Sequence, residues 1–207
     1  FDRSLVASHW AMLPFLLGII FFAGRLARHL TAQPVGPAWL LPLLVVDPTL
    51  AAQSVLVSPD IVLVVALLAA LHGILSERDW LKTVGAIVLA LISTRGMMVV
   101  AALYLFEVWR TYLRGAAALR RALPIALYKK ALPYVPAGLL AATFLGYHYL
   151  QTGWIGYHAD SPWAPTFEPV DARGFLFNIG ILGWRLVDYG RIFVWIAMGY
   201  LLWHRWN

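Results

Sequence analysis

The chain has 207 residues, 61% hydrophobic and 13% charged, with a mean hydropathy of +0.74. Soluble domains carry about 45–50% apolar and about 25% charged residues, so this sequence has too little polar surface to cover its apolar content and reads as an integral membrane protein, all-α and polytopic. Long apolar runs exclude a transmembrane β-barrel, the absence of cysteine excludes a disulfide framework or a thiolate site, and the net charge of +6, carried mostly by arginine, is first a topology signal rather than a nucleic-acid one.

A membrane helix needs about 20 apolar residues. The first expected span is His9–Gly24, followed by Arg25, Arg28 and His29. Residues 31–37, TAQPVGP, read as a turn. Ala38–Val46 is a short apolar run stopped by Asp47 and Pro48. Thr49–Val57 is mildly amphipathic and is expected to lie in the interface, with Gln53 and Ser54 toward water. Pro59 opens the next span, Ile61–Leu75, with Asp60 at its positive dipole end. SERDWLK at 76–82 reads as a charged loop. Thr83–Val108 is apolar but carries STRG at 93–96, and a block with six basic residues occupies 109–130. Ala131–Leu150 is a further span. The polar, aromatic stretch 151–173 is a loop, 174–191 a mixed helix, and Ile192–Trp203 the last span.

The positive-inside rule places the 109–130 block in the cytoplasm, together with Arg78, Lys82, Arg25 and Arg28. Residues 83–108 must then enter and leave on one side. Two half-helices forming a hairpin, with Ser93–Gly96 at its tip, satisfy this. A straight span would put Arg95 in the middle of the bilayer. Non-helical backbone at such depth is tolerated only against protein or a water-filled cavity. Asp47, Asp60 and the 151–173 loop fall on the outer side, the loop being extracytoplasmic. The chain begins at Phe1 without Met, and residues 1–207 are read as one transmembrane domain within a longer polypeptide.

Two carboxylates at the rim of a bundle, Asp47 and Asp60, are candidates for a general base, for orienting a cationic group or for holding a divalent metal. Each also has a structural reading, Asp47 as a helix stop before Pro48 and Asp60 as an N-terminal cap. Arg95, inside a 26-residue apolar run, needs an anion, and either an aspartate or a phosphate would serve. Tyr157, His158 and Asp160 are candidates to contact a sugar or a lipid headgroup, within a loop whose aromatics also suit an interfacial belt. His148 and His158 lack zinc-ligand spacing, and no metal site is assigned. Glu107 reads as interfacial, and His72 as a satisfied core residue. No Ser-His-Asp set, P-loop or dinucleotide fingerprint is present.

Three features carry a resemblance: VVDPTLAAQSVLVSPDIVLVVALLAALHGIL at 45–75, AIVLALISTRGMMVV at 86–100, and a long outer loop following a basic cytoplasmic block. Together they cover about two-thirds of the chain. They resemble the GT-C superfamily of membrane glycosyltransferases, in the protein mannosyltransferase-like branch that includes bacterial aminoarabinose transferases. The resemblance implies transfer, with inversion, of a sugar from a polyprenyl-phosphate donor to an acceptor at the extracytoplasmic face. It implies the bacterial inner (cytoplasmic) membrane as the location, and membrane lipid and the lipid-linked sugar as partners. Asp60 matches the family's Pro-Asp, and Arg95 the basic residue that faces the donor phosphate. Asp47 is a weaker match. The family's usual base lies in a first outer loop that this sequence does not contain. The competing readings are a non-catalytic transmembrane subunit of a larger complex and a transporter. The latter calls for broken helices in both halves, where the sequence offers one break.

Overall fold

A computed structural model describes residues 2–31, 50, 53, 57–114, 123–155, 158, 160, 170–188, 192, 195–196, 199–200 and 203. The ordered elements are α1 (Asp2–Thr31), α2 (Pro59–Leu75), α3 (Asp79–Ile92), α4 (Thr94–Arg114), α5 (Leu123–Ala131), a 3-10 turn (Leu132–Tyr134), α6 (Val135–Thr152) and α7 (Ala172–Val187). No strand occurs among the described residues, so the all-helical expectation holds. Two helices are long and apolar enough to cross a membrane, over His9–His29 and Thr94–Leu113, and Pro59–Leu75 is a shorter apolar helix. Residues 1–156 form one compact unit and residues 157–207 another.

Local chemistry sets the helix ends. Ser58 caps α2, its hydroxyl accepting from the Asp60 N–H at 3.2 Å, and Pro59 supplies a first-turn residue whose missing N–H costs nothing there. At the other end the Ser76 N–H and hydroxyl both donate to the His72 carbonyl, at 2.9 and 2.6 Å. Glu77 then takes a left-handed conformation, φ 56°, and the Arg78 N–H returns to the Gly73 carbonyl at 2.8 Å. This is the six-to-one hydrogen bond that closes a Schellman turn, with glutamate where glycine is usual. The turn is tight enough for α3 to begin at Asp79. The charged stretch 76–82 is therefore half loop and half helix, with Asp79–Lys82 forming the first turn of α3.

α2 and α3 run antiparallel in close contact. An added Cβ at Gly85 would stand 2.8 Å from the Ala70 Cβ and 2.9 Å from the Ala66 carbonyl oxygen. Only small residues allow two helix backbones to approach in this way. The cluster of Ala66, Ala70, Ile74, Ala86, Leu89 and Ala90 forms the core of this contact, extended by Leu103 of α4 and Ala137 of α6.

The break at 93–96 falls where expected, but its arms are not two half-helices: α3 has 14 residues and α4 has 21, long enough to cross a membrane. Ser93 is extended, with φ −169° and ψ 164°, and so ends α3. It also caps α4: its hydroxyl accepts from the Gly96 N–H at 3.2 Å and its carbonyl from the Met97 N–H at 3.1 Å. A side chain at Gly96 would overlap the Leu89 carbonyl, so glycine lets α4 start hard against the end of α3. α4 then descends beside α3, which the contact between Lys82 and Glu107 establishes. Residues 79–114 are thus a helical hairpin with Ser93–Gly96 at its apex.

α1 runs parallel to α2. A Cβ at Gly18 would stand 3.2 Å from Val65, whereas Phe22 and His29 both lie beside the His72 ring. Arg25, Arg28, Arg78, Lys82, Arg110, Lys129 and Lys130 consequently gather at one end of the first unit, called here the basic end. The hairpin apex lies at the other. Gln53 departs from its expected place in water: it is half-buried and its Oε1 is enclosed without a hydrogen-bond partner. Ser54 lies outside the described residues.

Candidate functional site

Two polar constellations occupy opposite ends of the first unit. At the apex end stand Asp60 and Arg95. Gly73 packs against Lys82, and Ala70 against Gly85. Carried up the antiparallel pair, that register brings the start of α2 level with the hairpin apex. Asp60 is half-buried in the first turn of α2, and Arg95 is exposed in the first turn of α4. A carboxylate suits a helix N-terminus, but a guanidinium there faces the positive end of the dipole. No ion pair joins Arg95 to Asp60. Asp47 and Tyr157 lie outside the described residues.

α6 starts at the basic end and rises along α3, which carries its last turn toward the apex end. There His148 stacks on Phe144, with ring centroids 6.2 Å apart, and meets the Trp154 ring edge-on at 4.4 Å. His158 and Asp160, in the second unit, form a local exposed pair. The Asp160 N–H donates to His158 Nδ1 at 3.2 Å, and the carboxylate Oδ2 is 3.6 Å from the same nitrogen.

The basic end holds a buried network that sequence reasoning missed. Lys82 is fully buried and Glu107 is 2% exposed. The Lys82 ammonium donates to Glu107 Oε1 at 2.8 Å and pairs with Asp79 Oδ1 at 2.6 Å. The Tyr134 hydroxyl donates to Glu107 Oε2 at 2.9 Å, and Lys130 stands 3.4 Å from Oε1. Two cations and two carboxylates balance, and each Glu107 oxygen has a donor. That is the condition under which charge tolerates burial. Glu107 is therefore not interfacial. Its carboxylate joins α3, α4, α5 and the 3-10 turn.

The surroundings tune these groups. Burial, and then the Glu107 carboxylate, pushes the Tyr134 phenol well above the ordinary tyrosine range. Burial pulls the Lys82 ammonium down, but its bonds to Asp79 and Glu107 together outweigh that, and the net shift is upward. Both groups keep their protons at neutral pH. With its acceptors occupied, Glu107 is a structural tie rather than a general base. No group of three or more His, Asp or Glu side chains is placed to hold a metal among the described residues.

His72 also departs from its expectation. It is buried, 6% exposed, but its Nδ1 has no hydrogen-bond partner. Compared with family models, with curated proteins and with solved structures, the chain shows no match.

Proposed function

We propose that the chain is a polytopic bundle of a membrane glycosyltransferase that moves a sugar from a polyprenyl-phosphate donor to an acceptor at the apex end. In this reading the basic end faces the cytoplasm, as the clustering of Arg and Lys there favours. The observation that carries the proposal is the placement of Arg95. An exposed guanidinium stands on a helix N-terminus, at the apex of a hairpin and at the same end as Asp60. Cation and helix dipole both favour an anion at that point, and a phosphate offers the oxygens a guanidinium fork matches. Asp60, with Asp47, would accept the proton of the attacking hydroxyl or orient the acceptor. The His148–Trp154 pair offers a ring face for a sugar.

Reconstituted protein tests this with radiolabelled polyprenyl-phosphate sugars as donors. Loss of transfer in both Asp60→Ala and Arg95→Ala supports the assignment. Transfer at the wild-type rate in both variants would sink it.

One observation favours the alternative, a non-catalytic subunit of a larger membrane complex. α7 buries none of its residues, and Phe175, Leu176, Phe177, Leu182 and Trp184 are all exposed. A helix that is apolar over so much of its surface suits neighbouring helices as well as lipid. Stoichiometric co-isolation with other membrane proteins, without donor binding, is the result that would favour it.

A further inference from the structure

The basic end carries a second cluster, which the transfer reaction does not use. His72 lies in the last turn of α2 with its imidazole against α1, the ring centroids being 6.1 Å from Phe22 and 5.5 Å from His29. Its Nδ1 is enclosed and unpartnered. Leaving such a group unpaired is costly. Arg25 lies on α1 between Phe22 and His29, and Arg78 follows α2 with its N–H on the carbonyl of Gly73, the neighbour of His72.

These cations are not needed to neutralise the end of α2. Its last carbonyls are already taken: His72 by Ser76, Gly73 by the Arg78 N–H, and Ile74 by the Arg110 guanidinium at 2.5 Å. Nor do they have acidic partners among the described residues. Among the described ion pairs none includes Arg25, Arg28 or Arg78, Asp79 is committed to Lys82, and Glu77 forms none. A cluster of exposed cations without carboxylate partners among the described residues favours an anion.

The surface leading to it indicates which anion. Leu13, Leu17 and Phe21 are exposed on α1 at intervals of four residues, which places them on one stripe of the helix. Arg25 continues that stripe, with its guanidinium 5.2 Å from the centre of the Phe21 ring. An apolar stripe ending in an arginine at the basic end matches an acyl chain ending in a phosphate.

We propose that Arg25, Arg78, His29 and His72 form a binding site for the phosphate of an anionic phospholipid, whose acyl chain lies along Leu13, Leu17 and Phe21. The arginines and His29, all exposed, face the phosphate oxygens, and the enclosed His72 ring closes the floor of the site. The site rests on the membrane reading of α1 and not on the transfer reaction.

Native mass spectrometry of the purified protein, offered dioleoylphosphatidylglycerol or dioleoylphosphatidylcholine, tests it. Retention of phosphatidylglycerol about tenfold above phosphatidylcholine is expected, with the preference lost in Arg25→Gln/Arg78→Gln. Both side chains are exposed, and the capping bond of Arg78 is made by its backbone, so the double variant keeps the fold. Lys129→Gln, an exposed cation at the same end, is expected to keep the preference. Equal retention of the two lipids, or an equal loss in Lys129→Gln, would overturn the site. Thermal unfolding in inorganic phosphate against chloride, at equal ionic strength, separates the sources. Protection by phosphate that the double variant lacks, without preferential retention of phosphatidylglycerol, would overturn the lipid in favour of a soluble phosphate ester.

Discussion

Lys82 and Glu107, 25 positions apart, meet at 2.8 Å at the base of a hairpin whose apex is Ser93. At 1.5 Å per residue, α3 rises about 16 Å from Lys82 to the apex, and α4 comes back about 21 Å to Glu107. One ion pair therefore fixes how the two helices lie together, and with them the position of the Arg95 turn.

Glu107→Ala is expected to destabilise the protein by about 3–5 kcal/mol, because it strands a buried ammonium and removes the acceptor for Tyr134. Lys82→Met is expected to cost a similar amount. The double variant should cost clearly less than the two losses added, since neither charge is then left alone. Thermal or denaturant unfolding in detergent measures this cycle. Strict additivity would mean that the two residues do not act as a pair.

The same network predicts a loss of stability at alkaline pH. The folded-state pKa values of Lys82 and Tyr134 are both raised, from ordinary values of 10.5 and 10.0. In each case the folded protein holds its proton more tightly than the unfolded chain. The contribution is therefore complete below the ordinary values and is withdrawn as pH rises through the folded ones. The unfolding midpoint should be nearly level between about pH 8 and about pH 9.5 and fall above that. Tyr134→Phe should make the fall shallower. A midpoint that drops equally steeply in wild type and Tyr134→Phe would remove the phenol from this account.

The break at 93–96 was legible in the sequence; the full length of the second arm and the base of the hairpin were not. Charge distribution alone requires 83–108 to return to its starting side, and Ser93 with Gly96 supplies the chemistry of a cap and a close approach. Glu107 was misplaced because a lone carboxylate near the end of an apolar run looks interfacial when the helix is read by itself. Counting back from Ser93 on both arms would have set Glu107 opposite the first turn of α3. That turn was hidden, because SERDWLK is charged enough to read wholly as loop. His72 was harder to judge. Its burial follows from the apolar helix around it, but whether its nitrogens find partners depends on α1, which is distant in sequence.

Glu77 gives the third prediction, because it occupies a position that suits another residue. Its φ of 56° lies in the left-handed region, where a Cβ crowds the following carbonyl. The turn keeps this conformation because the Ser76 and Arg78 N–H groups return to the His72 and Gly73 carbonyls. Glycine adopts the same conformation without the crowding, although it gives the unfolded chain more freedom to lose. The glutamate side chain is exposed and forms none of the described ion pairs, so little is lost with it. Relief of strain outweighs the entropy term, and Glu77→Gly is expected to stabilise the protein by about 0.5–1 kcal/mol. Glu77→Ala keeps the Cβ and should not. A higher unfolding midpoint in the glycine variant, unmatched by the alanine variant, separates backbone relief from the removal of a charge. Equal midpoints in the two variants would assign the effect to charge.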